Sequence, residues 1–276
     1  MIKFIVNTFN KNIFEKIQNF PIILRISDIK NISTINYESN IKNVAKVLIT
    51  LDSDSPILKI ENDKIPVDVY LRKITSLIKQ LPSNITVFLH SDLDENYLKV
   101  QKLAESGIRC GIFLNKTDEV NWDRLSKLFN YCQYNNNLMH LIEPFNSLIN
   151  YYCKPLLYNV NSIYCNNPDE YLHINDNGDI AISLEDMYNS HFTVNINSTP
   201  FLVDKILEQN RIKDNSFFLT RHRCSNCIGW GMCKGIFSGR NATENCRLFF
   251  KEITGYLNDQ IERLAKSKVT NENNNI

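Results

Sequence analysis

Short apolar runs alternate with amphipathic stretches along residues 1–155, and this alternation leaves few folds open to the chain. The runs at 3–7, 22–26, 45–51, 85–90, 110–114 and 138–142 are aliphatic and often β-branched, as strands buried on both faces tend to be. Stretches 66–81, 95–106, 122–133 and 145–152 read as helices; Pro66 suits a first helical turn and Gly107 a helix stop. A repeated βα pattern predicts a parallel sheet with right-handed crossovers. Six strands are too few for an eight-stranded barrel. The expected fold class is therefore α/β, with a partial (βα) barrel-like or open sheet over residues 1–155.

Composition narrows the function classes. A formal charge of +1 on 276 residues gives no long-range pull toward nucleic acid or an acidic membrane. The first apolar run is far shorter than the roughly 18 residues a spanning helix needs, and it reads as a strand. No secretory signal is visible, so the expectation is a cytoplasmic protein with no membrane partner. Eight cysteines in a reducing compartment point to metal binding before disulfides.

The pattern changes near Cys153. From Ser162 onward short strands and turns follow, and Asn175-Asp176-Asn177-Gly178-Asp179 is a hairpin-turn signal between apolar runs at 172–174 and 180–182. Helices are expected at 200–208 and 247–266, the second with Leu248, Phe249, Ile253, Leu257, Ile261 and Leu264 on one face. This defines an expected second unit, 156–266, and a polar tail, 267–276, expected to be disordered.

Within that unit Cys224, Cys227, Cys233 and Cys246 fall inside 23 residues. A CxxC turn aims two sulfurs at one centre, and Gly229, Gly231 and Gly235 let the backbone wrap closely. Arg221, Arg223 and Lys234 would offset part of the thiolate charge. The bland alternative, four unligated core thiols, fits poorly with their polar flanks. Only one CxxC pair is present, whereas a zinc ribbon has two, so the spacing favours an iron–sulfur cluster over Zn2+.

These residues resemble a family. Cys165, Gly178 and Ser183, followed by Cys224-x2-Cys227-x5-Cys233 and a distant Cys246, are similar to the SPASM domain, the C-terminal auxiliary-cluster module of radical SAM peptide and protein maturases. The resemblance covers about residues 160–265. It implies that Cys224, Cys227, Cys233 and Cys246 hold one auxiliary [4Fe–4S] cluster. Ser183 and Phe237 stand where the family has cysteines of another cluster, which leaves Cys165 as a buried thiol. The family's CxxxCxxC after the first strand has no counterpart, because no cysteine precedes Cys110 and Thr8-Phe9-Asn10-Lys11-Asn12 offers no soft ligand. A Gly-Gly-Glu segment after the second strand is also missing. The chain thus looks like a degenerate, pseudo-radical-SAM member that does not use S-adenosylmethionine.

Other residues have plainer readings. His90-Ser91-Asp92 ends a predicted strand, where α/β folds place ligands, yet a structural strand-end histidine is commoner. Asp92, Asp94 and Glu95 suit the positive end of the next helix. His140 and Glu143 could join His90 around a hard metal at the sheet mouth. Cys110, Cys132 and Cys153 read as core thiols. His222 could hydrogen-bond a cluster sulfur, and Trp230 could shield the centre from water.

The leading functional expectation is a non-radical accessory protein of ribosomal-peptide (RiPP) maturation, binding a precursor peptide, an active maturase or both. The alternative is a stand-alone metal-dependent peptide-modifying enzyme. A zinc-stabilised nucleic-acid module, suggested by Arg221, His222, Arg223, Lys234, Arg240 and Arg247, is disfavoured by the near-neutral charge.

Overall fold

A computed structural model of the chain describes residues 2–7, 10–27, 43–51, 65–74, 78, 80–114, 119–152, 159–198, 208, 212, 215–216, 218–220, 222–237 and 243–273. In chain order, β1 (Lys3–Val6), α1 (Lys11–Ile17), β2 (Ile22–Ile26), β3 (Val44–Leu51), β4 (Val67–Leu71), β5 (Ile85–His90) and α2 (Asp94–Glu105) come first. They are followed by β6 (Cys110–Phe113), α3 (Trp122–Tyr134), α4 (Asn136–Met139), β7 (Ile142–Glu143), α5 (Phe145–Tyr151) and α6 (Val160–Ile163). The last part carries β8 (Tyr171–Ile174), β9 (Asp179–Ala181), α7 (Leu184–Tyr188), β10 (Val194–Asn195), a 3-10 turn (Arg223–Asn226), α8 (Trp230–Cys233) and α9 (Glu244–Asn273).

Among the described residues one ten-stranded sheet, ordered β10-β9-β8-β1-β2-β3-β4-β5-β6-β7, runs through the molecule. Strands β1 to β7 are parallel and lie in sequence order. Each crossover therefore steps the same way, and right-handed connections put the intervening helices on one face, as in a barrel. The expected parallel α/β sheet is present. On its far side β8 joins β1 in parallel, and β9 and β10 continue antiparallel.

The two faces differ in chemistry. One row of side chains (Val47, Ile49, Val67, Val69, Val87, Leu89, Cys110, Ile112) is aliphatic or thiol and buried. It faces the helices: Cys110 Sγ donates to the carbonyl of Val100 on α2 at 3.3 Å. The other row mixes charge and aromatic rings. Lys46 Nζ lies 2.6 Å from the Asp68 carboxylate, and the Tyr70 and Phe88 rings stack with centroids 5.1 Å apart. Burial pushes the Asp68 carboxyl up, and Lys46 offsets part of that.

Two predicted elements are corrected. The stretch read as a helix from residue 66 opens with strand β4, because Val67, Val69 and Leu71 are swallowed by the core between β3 and β5. Pro66 sits just before that strand, where it lacks a donor without harm while its carbonyl accepts from Val47 N. The predicted strand 138–142 is instead the short helix α4 and the two-residue β7. Helix α1, capped by Asn10 through a bond from Asn12 N, had no counterpart in the expectation.

The hairpin turn forms as expected. Gly178 takes φ +84°, and Asn175 Oδ1 accepts from the backbone N–H of Asn177 and Asp179. Helix α9 is longer at both ends than its predicted 247–266. Its buried stripe is Cys246, Phe249, Phe250, Ile253 and Leu257, whereas Leu248 and Ile261 face solvent. Phe249 and Phe237 pack on Trp122 of α3 at 5.5 and 5.1 Å between ring centroids, tying the cysteine segment to the helical layer. The expected helix 200–208 lies outside the described residues except for Glu208, as does Cys153.

Edge strand β7 depends on a glycine. A Cβ on Gly111 would stand 2.7 Å from the backbone oxygen of Glu143. Gly111→Ala is expected to destabilise the fold by about 1–3 kcal/mol through overpacking, measured as a lower urea midpoint at unchanged m-value. A change under about 0.5 kcal/mol, typical of surface sites, would show that β7 adjusts freely.

Candidate metal centre

The cysteine segment is a chain of tight turns. His222 Nδ1 accepts from Cys224 N at 3.2 Å and so caps the 3-10 turn. Cys227 N then bonds Cys224 O, Trp230 N bonds Cys227 O, and Cys233 N bonds Gly229 O. Lys234 at φ +49° and Gly235 at φ +72° reverse the chain after α8.

These turns aim backbone amides at sulfur. Gly229 N donates to Cys227 Sγ at 3.4 Å, and Gly235 N donates to Cys233 Sγ at 3.3 Å. In both cases the donor lies two residues beyond the cysteine. Such bonds favour the thiolate and tune a bound metal. The sequence reading noted the glycines as room for the backbone but missed this second role.

Cys233 and Cys246 are buried, and Cys224 and Cys227 are half-buried. Burial pushes the Cys233 thiol up to about 12, against the opposing pull of the Gly235 amide. Cys246 is raised by burial and then by Cys233, Cys227 and Cys224, so all four thiols lie within electrostatic reach of one another. Cys224 is raised by burial and by Cys227, while Arg223 lowers both Cys224 and Cys246. Burial thus favours the protonated forms of Cys224, Cys233 and Cys246, and a cationic centre would displace those protons. Among the described residues no three His, Cys, Asp or Glu side chains converge on a single metal ion.

The knuckle is docked on α9. A Cβ at Gly229 would meet Phe250 Cβ at 2.5 Å, so the CxxC turn and the Cys246 helix lock together. Phe218 packs edge-on against Trp230 at 5.2 Å, and Lys234 Nζ sits 5.9 Å from that ring.

The two positions where the resembling family has further cysteines serve other purposes. Ser183 is the N-cap of α7: its Oγ accepts from Asp186 N at 3.1 Å and donates to the Asp186 carboxylate at 2.6 Å. Phe237 is a core ring against Trp122. Cys165, expected to be a buried thiol, is buried on the mixed face of the sheet at φ +53°. Cys110 and Cys132 are core thiols.

The remaining candidates separate. His90 ends β5, packs on Phe113 at 5.2 Å and faces a cavity at the C-terminal ends of the strands. His140 precedes β7 and, with Glu143, lines a different cavity of about 220 Å³ that also holds Lys46, Asp68 and Arg109. A shared hard-metal site for His90, His140 and Glu143 is therefore overturned: β7 starts after His140, which places that histidine at the strand's N-terminal end. Glu143 is already engaged by Ser147 N, Ser147 Oγ and Asn146 Nδ2. Asp94 and Glu95 open α2 and pair with Arg124 and Lys99, a structural use of their charge. Sequence reasoning passed over Arg25, Lys46 and Asp68; the available signal was a lone charge inside an aliphatic strand.

Neither a protein-family model nor a curated protein matches this chain. No helix among the described residues is long and apolar enough to cross a membrane.

Gly229→Ala is expected to push the knuckle off Phe250 and lower Tm by about 4 °C or more, the scale of a 1–2 kcal/mol overpacking cost in a chain of this size. Thermal unfolding followed by circular dichroism tests this. An unchanged Tm would mean that the knuckle and α9 are not rigidly docked.

Proposed function

We propose that this protein is a non-radical accessory component of ribosomal-peptide maturation, a pseudo-radical-SAM protein with a SPASM-like C-terminal part. It binds a precursor peptide, an active maturase or both in the cytoplasm. The observation that carries this reading is the junction of two features. A parallel sheet built in sequence order is joined, through Trp122, to a four-cysteine knuckle whose sulfurs receive backbone amides.

The donor set suits a thiolate-bound group: four thiols in mutual electrostatic reach, two N–H···S bonds, and Arg223 beside them. Cys224, Cys227, Cys233 and Cys246 would hold a [4Fe–4S] cluster, with Zn2+ as the alternative. Bound there, a cluster supplies one-electron chemistry or a structural cross-link. The chain's own residues orient the thiolates and, through Phe250 and α9, fix the knuckle to the rest of the fold.

The lack of a cysteine before Cys110 supports a role without S-adenosylmethionine cleavage. Among the described residues both sheet edges, β7 and β10, are only two residues long. Edges that short offer little ladder to an added peptide strand, which shifts recognition toward side chains.

Anaerobic purification is expected to yield about four irons with matching sulfide and a charge-transfer band, as thiolate-bound clusters give. Cys227→Ser should lose most of that iron. A colourless protein with one zinc would sink the cluster while keeping the thiolate centre, and metal-free protein would sink both. Incubation with dithionite and S-adenosylmethionine should release no 5′-deoxyadenosine, and a fluorescent precursor peptide should bind. Release of the nucleoside, or failure to bind either peptide or maturase, would overturn the accessory reading.

A further inference from the structure

The cavity at the C-terminal ends of the strands contains a cation with no ion-pair partner among the described residues. Its volume is about 400 Å³, within the roughly 300–1,000 Å³ range of small-ligand sites. Its floor is aromatic. Tyr70 stacks on Phe88, Phe113 stands edge-on to Tyr70 at 4.8 Å, and Tyr164 stands edge-on to Phe113 at 5.1 Å. Its roof comes from the C-terminal part of the chain, through Tyr188 of α7 and Ile236 beyond the cysteine knuckle.

Arg25 enters this space from β2. Its contact is Nη1 to His173 Nδ1 at 3.4 Å, and it forms no ion pair among the described residues. The Tyr188 and Tyr70 phenols and the Cys165 thiol lie around it, and burial favours the neutral forms of the Tyr70 and Cys165 groups. Glu185 lines the same cavity but makes no ion pair with Arg25. Two further polar atoms are left over. Tyr70 is 5% exposed and its Oη has no hydrogen-bond partner; His173 is wholly buried and its Nε2 has none.

A half-buried guanidinium with no carboxylate against it still loses part of its hydration, and an anion bound in the cavity would offset that cost. The planar fork of arginine suits a bidentate oxyanion, and Tyr70 supplies a neutral donor beside it. The ring floor suits a flat or apolar body attached to that oxyanion.

We infer that this cavity is a recognition site for a carboxylate-bearing ligand, with Arg25 as its anion receptor and Tyr70 as a second donor. Resting on the peptide-binding reading above, this names the recognised group as a free C-terminal or side-chain carboxylate of the precursor, seated at the sheet mouth and not along an edge. Arg25 then belongs to recognition and not to folding, which separates it from a structural arginine.

The test is calorimetric titration of the whole protein with N-acetylphenylalanine, its neutral amide and inorganic phosphate. The acid should bind about tenfold or more tightly than the amide, the scale of a lost charge-assisted pair, and phosphate alone should not match it. Arg25→Met should weaken the acid by a similar factor while its Tm stays level or rises, since a half-buried charge with no ion-pair partner among the described residues has gone. Tyr70→Phe, which removes only a hydroxyl, should weaken acid binding with Tm unchanged. Equal affinity for acid and amide, phosphate binding as tightly as the acid, or a marked fall in Tm of Arg25→Met would each overturn the proposal. Should the acid bind while the precursor peptide does not, the pocket stands and the peptide reading fails. Should the precursor bind Arg25→Met as it binds the wild type, the pocket assignment fails and the peptide reading stands.

Discussion

Lateral order in the sheet decides where everything else can go. Strands β1 to β7 add one beside the next in the order of the chain, so right-handed crossovers deliver the helices to a single face. One row of side chains must then match helices, and the opposite row faces away from them. The first row is aliphatic; the second holds Arg25, Lys46, Asp68, Tyr70, Phe88 and His90. Polar groups there lie under α5, α6 and α7 around two cavities, the setting in which small ligands bind.

The cysteine knuckle meets this scaffold from the helical side. Phe237, Phe249 and Phe250 gather on Trp122, and Gly229 admits Phe250 where any larger residue would collide. Cys246 sits on α9 one turn before Phe250 and faces the same way. The sulfur-bearing segment is thus positioned by aromatic packing as much as by its own turns. Ser183 and Phe237 belong to the same framework, the first as a helix cap and the second as a core ring.

Much of this was legible from residues alone. Aliphatic runs announced β1, β2, β3, β5 and β6 because both faces of those strands are shielded, and the Asn-Asp-Asn-Gly-Asp signal announced the β8–β9 hairpin through its need for positive φ at Gly178. β4 was misread because Val-Asp-Val-Tyr-Leu follows a proline and leads into further aliphatics that also fit a helical period; burial between neighbours decided for the strand. In the α9 stripe Phe249, Ile253 and Leu257 are buried as expected, but Phe250 takes the place expected of Leu248, since the two are alike in hydrophobicity and the location of Trp122 distinguishes them. The four cysteines were plain in the sequence. The amides of Gly229 and Gly235 were not, nor was the gathering of Arg25, Tyr70 and His173, because residues far apart in the chain meet only through lateral strand pairing.

The pairing of β1 with β8 sets a schedule for biosynthesis. Phe4 and Val6 wait beside open ladder positions until Leu172 and Ile174 have cleared the ribosome, and Trp122 waits longer still for Phe249. A nascent chain therefore carries an unfinished, adhesive sheet margin for much of its translation, and its completion comes late and nearly at once. The cysteine knuckle, docked on Phe250 of α9, can take its final form only at that closure.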